Sequence, residues 1–165
     1  MVLTKEELLA SLQNEVRILL HLAGKVDPAK VDYRPTPKQR SILELLRYMS
    51  FMGPFLIGAI KTGNFDVPAW QVVEGAAANL DFPGAVDAIG KQPGQYAKAL
   101  ADFSDGDLRG NVTLFGQTAT RGSAIVNMVL CACAAYRTQL FLYLKSCGRD
   151  ELNTMNLWAG VDGEM

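Results

Sequence analysis

Few side chains in this sequence could do chemistry, and they are scattered. There is one histidine, His21, and there are three cysteines, Cys131, Cys133 and Cys147. A single imidazole builds neither a metal cage nor a catalytic triad. Near a helix C-terminus it serves the helix dipole as a cation, or sits as a satisfied core group. Cys131 and Cys133 are separated by about 200° of helical rotation, so their thiols face opposite ways and cannot grip one ion together. All three cysteines read as free thiols of a reducing cytosol. Glu44 and Tyr48 stand one helical turn apart, as do Asn127 and Cys131. A carboxylate, an amide and a thiol form no common ligand set. Arg137 and Gln139 project about 200° apart and make no joint clamp. Arg137 is expected to meet a carboxylate at a helix interface, Glu44 being one candidate. Gln139 is expected to share an inner face with Tyr136 and to need a partner if buried.

The elements that must position these groups are helices. The longest stretch, Thr120 to Gly148, begins with a capping threonine, ends at a glycine and contains no proline. As one helix it would span roughly 40 Å. Ile125, Met128, Val129, Ala132, Tyr136, Gln139, Leu140 and Tyr143 recur along it at three- and four-residue steps and predict its inner face. Thr4 with Glu7 and Ser41 with Glu44 are capping-box pairs. They open a first helix that runs to Gly24 and a second that takes in Ile42 to Gly63. Gly53-Pro54 is expected to bend or break the second helix. A third helix opens near Asp81 or Pro83 and runs to Phe103, with Gln92-Pro93-Gly94 as a point of division. The segment between Lys61 and Leu80 reads as a loop with one helical turn, packed down by Trp70. Leu108 to Gly116 alternates as a short strand or an extended link. The tail after Gly148 reads as coil, pinned by Leu157 and Trp158. Four helical segments with long connections predict an all-α four-helix bundle with at least one crossover.

At 165 residues, with a net charge of −1 and about half the residues apolar, the chain suits one soluble domain, with a core over 4–148 and a packed tail over 149–165. No basic patch is available to grip nucleic acid. The apolar runs around Ala124–Tyr136 and Met49–Ile60 are interrupted by polar or helix-breaking residues and predict no membrane span. The acidic, amphipathic N-terminus is no secretory signal, so a cytoplasmic protein is expected.

Two stretches resemble the DinB-like family of four-helix bundles, the DinB and YfiT-type metalloenzymes. One is the proline-rich lead-in with its capped helix, DYRPTPKQRSILELLRYMS from Asp32 to Ser50. The other is AAYRTQLFLYLKSCG from Ala134 to Gly148, similar to the family's closing helix. Helix number and order agree over roughly residues 4–148. The resemblance implies a nickel or zinc site built from three histidines, one late in the second helix and two a turn apart on the last. On that pattern Tyr48, Ala132 and Tyr136 occupy the histidine positions. Alanine has no donor atom and a neutral phenol is a poor ligand near pH 7, so no cofactor is expected.

Three readings of function follow. The first is a degenerate DinB-like protein that binds a small molecule in the interhelical cavity, with Tyr48, Ala132, Tyr136, Gln139, Glu44 and His21 at the former metal site and its lining. The second is a dimeric interaction protein, in which the Met-, Phe- and Leu-rich stretch from Tyr48 to Ile60 lies between its own core and a twin subunit. The alternative is a metal-dependent enzyme of the thiol-transferase or hydrolase kind, using non-standard ligands.

Overall fold

Both capping boxes form. Thr4 Oγ1 accepts the Glu7 N–H at 3.2 Å while the Glu7 carboxylate takes the Thr4 N–H at 2.7 Å, opening α1 (Lys5–Ala23). Ser41 and Glu44 repeat the exchange at 3.2 and 2.8 Å to open α2 (Ile42–Thr62). These contacts come from a computed structural model of the chain, which describes residues 3–163. The ends of the expected 1–165 domain, residues 1–2 and 164–165, lie outside the described residues.

The segment expected as a loop with one helical turn is instead α3 (Val67–Ala78), a full 12-residue helix. Asp66 caps it by accepting the Ala69 N–H at 2.9 Å. Pro68 stands in its first turn, where a missing N–H is harmless. Trp70 packs α3 onto Phe51 and Phe55 of α2, as expected. The third expected helix divides where the proline predicts, into α4 (Phe82–Gly90) and α5 (Gln92–Ala101). Beyond Phe103, Asp105-Gly106-Asp107 begins the short α6 (Asp105–Arg109) under a Ser104 cap. The extended link finds a partner strand. β1 (Asn111–Leu114) pairs antiparallel with β2 (Gln117–Thr120), Asn111 facing Thr120 and Leu114 facing Gln117. Phe115 and Gly116 turn between them at φ 52° and 76°, the left-handed values a two-residue hairpin demands.

The long closing helix is not uniform. α7 (Arg121–Ile125) passes through a π-helical turn, Val126–Leu130, into α8 (Cys131–Ser146). A π turn takes in an extra residue, which rotates everything after it relative to a regular helix. The inner face matches the sequence expectation at Ile125, Val129, Leu140 and Tyr143, which are buried, and departs from it where Cys133, Arg137 and Leu144 are buried while Met128, Ala132, Tyr136 and Gln139 flank the core half-buried. Cys131 is exposed and Cys133 buried, the opposed placement their spacing predicts.

Four walls enclose one apolar cluster. α1 packs against α5 and α8, and α2 packs against α4 and α8, with α3 laid on its outer side. Leu12, Leu22, Leu45, Met49, Ile57, Ile89 and Val129 form the centre. By length and mean hydropathy both α2 and the Arg121–Ser146 helix could cross a membrane. Here both are walls of this bundle, and the second carries a buried arginine.

α2 stays helical through Gly53-Pro54 instead of breaking. Gly53 is required for another reason. The Tyr96 ring of α5, fully buried, presses its hydroxyl against the Gly53 Cα, and a Cβ there would stand 2.9 Å from Tyr96 Cζ and still closer to the hydroxyl oxygen. The Gly53→Ala variant is expected to lose about 3 kcal/mol of stability by overpacking. In a Tyr96→Leu background the same substitution should cost far less. Urea unfolding of the four variants of this cycle reads the result, and equal costs in both backgrounds would refute the contact.

Candidate functional site

Tyr48 of α2 and Tyr136 of α8, placed apart in sequence, meet edge to face with ring centroids 5.3 Å apart. Trp70 of α3 approaches the Tyr48 ring at 6.1 Å, and Phe51 approaches the same ring at 5.7 Å. The aromatic contacts continue through Phe55 and Phe65 to Phe115 at the hairpin tip, where Phe65 and Phe115 lie 5.1 Å apart. Above Tyr48 the Arg40 guanidinium sits 4.0 Å from the ring centroid, a cation–π contact at the surface. Burial and the neighbouring Tyr136 phenol push the Tyr48 hydroxyl up to about 12, so it remains neutral at physiological pH.

Beside Tyr48 a groove of about 270 Å³ opens between α2 and α3. Tyr48, Phe51, Ala77 and Ala78 supply its apolar walls, and Arg40, Glu44, Arg47 and Glu74 its charged rim. Two of the rim charges are already engaged. Arg47 donates from Nε to the Leu80 carbonyl at 2.6 Å. Glu44 accepts from the Ser41 N–H and pairs with Arg34 at 3.1 Å, contacts that hold its carboxyl below the ordinary value.

Of the residues proposed from sequence, Tyr48 and Glu44 line this groove and Tyr136 braces Tyr48 from behind. Ala132 is half-buried on α8, where its methyl offers no donor. Gln139 faces elsewhere and donates to the Tyr143 hydroxyl, not to Tyr48 or Tyr136. His21 is also apart from the groove, in contact with the C-terminal tail. Asn156 Nδ2, a donor only, lies 3.1 Å from His21 Nε2, which makes His21 a neutral acceptor with its proton on Nδ1. Burial lowers its pKa, Lys25 and Arg17 lower it further, and Asp162 opposes them. At the three histidine positions implied by the resemblance the side chains are therefore two phenols and a methyl. That donor set does not fit nickel or zinc. Among the described residues no three His, Cys, Asp or Glu side chains converge.

Sequence reasoning missed the charges at the bundle centre. Arg137 does meet a carboxylate at a helix interface, but it is Glu15 of α1, not Glu44. Arg137 Nε lies 2.8 Å from Glu15 Oε2 and Nη2 lies 3.3 Å from Oε1, with Arg137 only 3% exposed. The Nε contact is off-line for a hydrogen bond, so charge rather than alignment holds it. Burial raises the Glu15 carboxyl above its ordinary value while Arg137 pulls it back down. Cys133 lies close by, and burial pushes its thiol up to about 11, which leaves it inert at neutral pH. A signal was present in the sequence. Glu15 falls one turn from both Leu12 and Leu19, and Arg137 one turn from Cys133 and Leu140, so each charge interrupts an otherwise apolar stripe.

No protein-family model matches the sequence, and no curated protein matches it. Among solved structures it is similar to a DinB-like protein of Bacillus subtilis, YjoA. The superposition has a TM-score of 0.67 at 16% sequence identity and covers 88% of this chain and 95% of that one. The fold is DinB-like. At that identity the likeness speaks for architecture, and the groove and the buried pair rest on this chain's own residues.

The ion pair makes a direct prediction. Replacing Arg137 by Met leaves Glu15 buried without a partner and should cost about 3–5 kcal/mol. The double variant Arg137→Met/Glu15→Leu should recover most of that loss. Chemical denaturation measures both, and a double variant no more stable than the single one would contradict this account.

Proposed function

We propose that this chain is a DinB-like protein that works without the metal of the family it resembles and binds a small, mostly apolar molecule in the groove beside Tyr48. One observation carries the reading. The open face of Tyr48, braced from behind by Tyr136 and at the side by Trp70, forms a preset aromatic floor whose cover is a single surface guanidinium, Arg40. A flat ligand can take the place of Arg40 on that ring, and Arg40 or Arg47 can then pair with a polar end of the guest. The reading takes the protein as soluble and cytoplasmic. Thiol transfer or hydrolysis by a bound metal has no support from the side chains at Tyr48, Ala132 and Tyr136.

A fragment screen by thermal shift tests the groove. Ligands that raise the melting temperature of the wild type should lose that effect in Tyr48→Ala and keep it in Gln139→Ala. If the hits stabilise Tyr48→Ala equally, or none appears, the groove is not the site. Metal analysis of untagged protein accompanies the screen, and stoichiometric nickel or zinc would overturn the metal-free reading.

A homodimer is the second reading. The stretch from Tyr48 to Ile60 expected to face a twin subunit is covered on its outer side by α3, and Val67 and Val72 of that helix favour the reading instead. They stand 52% and 71% exposed on α3, the helix that covers the outer side of α2. Light scattering over a range of concentrations should show a dimer that Val72→Glu dissociates, and a monomer throughout removes the reading.

A further inference from the structure

The tail does not lie as the apolar pattern predicts. Leu157 is half-buried and Trp158 is 66% exposed, while Leu152, Asn156 and Gly160 are the buried residues. What holds residues 153–163 is a set of cations. Arg17 and Lys25 stand two helical turns apart on one face of α1 with the neutral His21 between them, and Arg137 points from α8 toward the same seam. Arg17 donates to the Ala159 carbonyl at 2.8 Å and to the Gly160 carbonyl at 3.2 Å. Arg137 donates to the Leu157 carbonyl, and its guanidinium stacks 5.3 Å from the Trp158 ring. Lys25 pairs with the Asp162 carboxylate at 2.6 Å, and the same carboxylate accepts from Asn156 at 2.9 Å. The tail thus behaves as a strap seated in a cationic furrow, its main-chain carbonyls and one carboxylate answering successive positive groups.

Three further features suit a strap that lifts as a unit. It follows a left-handed glycine, Gly148 at φ 93°. It keeps Met155, Trp158 and Val161 exposed, so little apolar area is lost on opening. Beneath it, the Arg137 Nε and the Glu15 Oε2 that it faces at 2.8 Å make no aligned hydrogen bond and are buried, so both gain solvation when uncovered.

We propose that the α1–α8 furrow is a docking surface for an acidic peptide segment of a partner protein, and that the chain's own strap occupies it in cis as a competitor. The strap's contacts specify the guest. It presents carbonyls in a helical turn to Arg17 and Arg137, followed by a carboxylate for Lys25. This inference is independent of the groove beside Tyr48.

Gly160 provides the test. Its φ is 60°, and a Cβ there would meet Ile18 Cα at 3.0 Å and Arg17 Nη1 at 3.1 Å, so Gly160→Val in the full-length protein should expel the strap. The probe is a fluorescein-labelled peptide of sequence NTMNLWAGVDG, the strap's own residues, followed by anisotropy. Wild type should bind it weakly, and Gly160→Val at least about tenfold more tightly, with affinity falling as salt is added. A probe with Asn in place of Asp162 should lose most of the gain, as should Lys25→Ala in the opened protein. Acrylamide quenching of Trp158 and amide exchange of the strap report opening. Asn156→Ala/Asp162→Ala serves as the opener if Gly160→Val does not fold. A strap that stays protected in both openers, an opened furrow that binds no probe, or equal binding of the two probes would each overturn the proposal.

Discussion

An arginine and a glutamate inside an apolar bundle constrain everything around them. Neither charge can face lipid-like side chains alone, so α1 and α8 must meet with Glu15 opposite Arg137, and neither helix can rotate without stranding one of them. Pairing still leaves guanidinium donors unsatisfied, and the Leu157 carbonyl answers one of them. The strap is therefore tied to the core through a single arginine. Such a pair adds little to stability compared with well-packed apolar residues, but it selects one rotational setting among many that apolar stripes alone would tolerate.

The same rotational setting decides what the seam between α2 and α8 can do. With Arg137 turned inward, Tyr136 is carried to the edge of the core, where it braces Tyr48 instead of filling the centre. Tyr48 in turn faces α3, whose Trp70 closes the side of the groove. The Tyr48 ring is held by Tyr136, Phe51 and Trp70, with the Arg40 guanidinium over its remaining face. Its phenol is neutral, its flanking carboxylate Glu44 is committed to a helix cap, and the thiol at the bundle centre is protonated.

Much of the architecture was legible in the residues. Caps at Thr4, Ser41 and Thr120 marked three helix starts, and the glycine after Cys147 marked the end of the last, because those signals are local. The α3 helix was missed although its signal, Asp66 ahead of Pro68, is equally local; alanine and glycine beyond it masked the pattern. The hairpin was missed because Gln117–Thr120 has no apolar alternation of its own and becomes a strand only against β1. Of the residues grouped from sequence, Tyr48, Glu44 and Tyr136 do lie together, while Gln139 and His21 lie in other surroundings. Those two displacements have different causes. The phase of a long helix cannot be carried across an interior irregularity that leaves no mark in composition, and a tail's partners are set by charges distant in sequence.

That irregularity, the π turn at Val126–Leu130, lets one rod serve two sets of neighbours. It offsets the angular settings of the two halves of a continuous helix. Residues before it pack against α2, α6 and the hairpin, and residues after it meet Glu15, Tyr48 and the strap. A regular helix of the same length would aim those two faces differently.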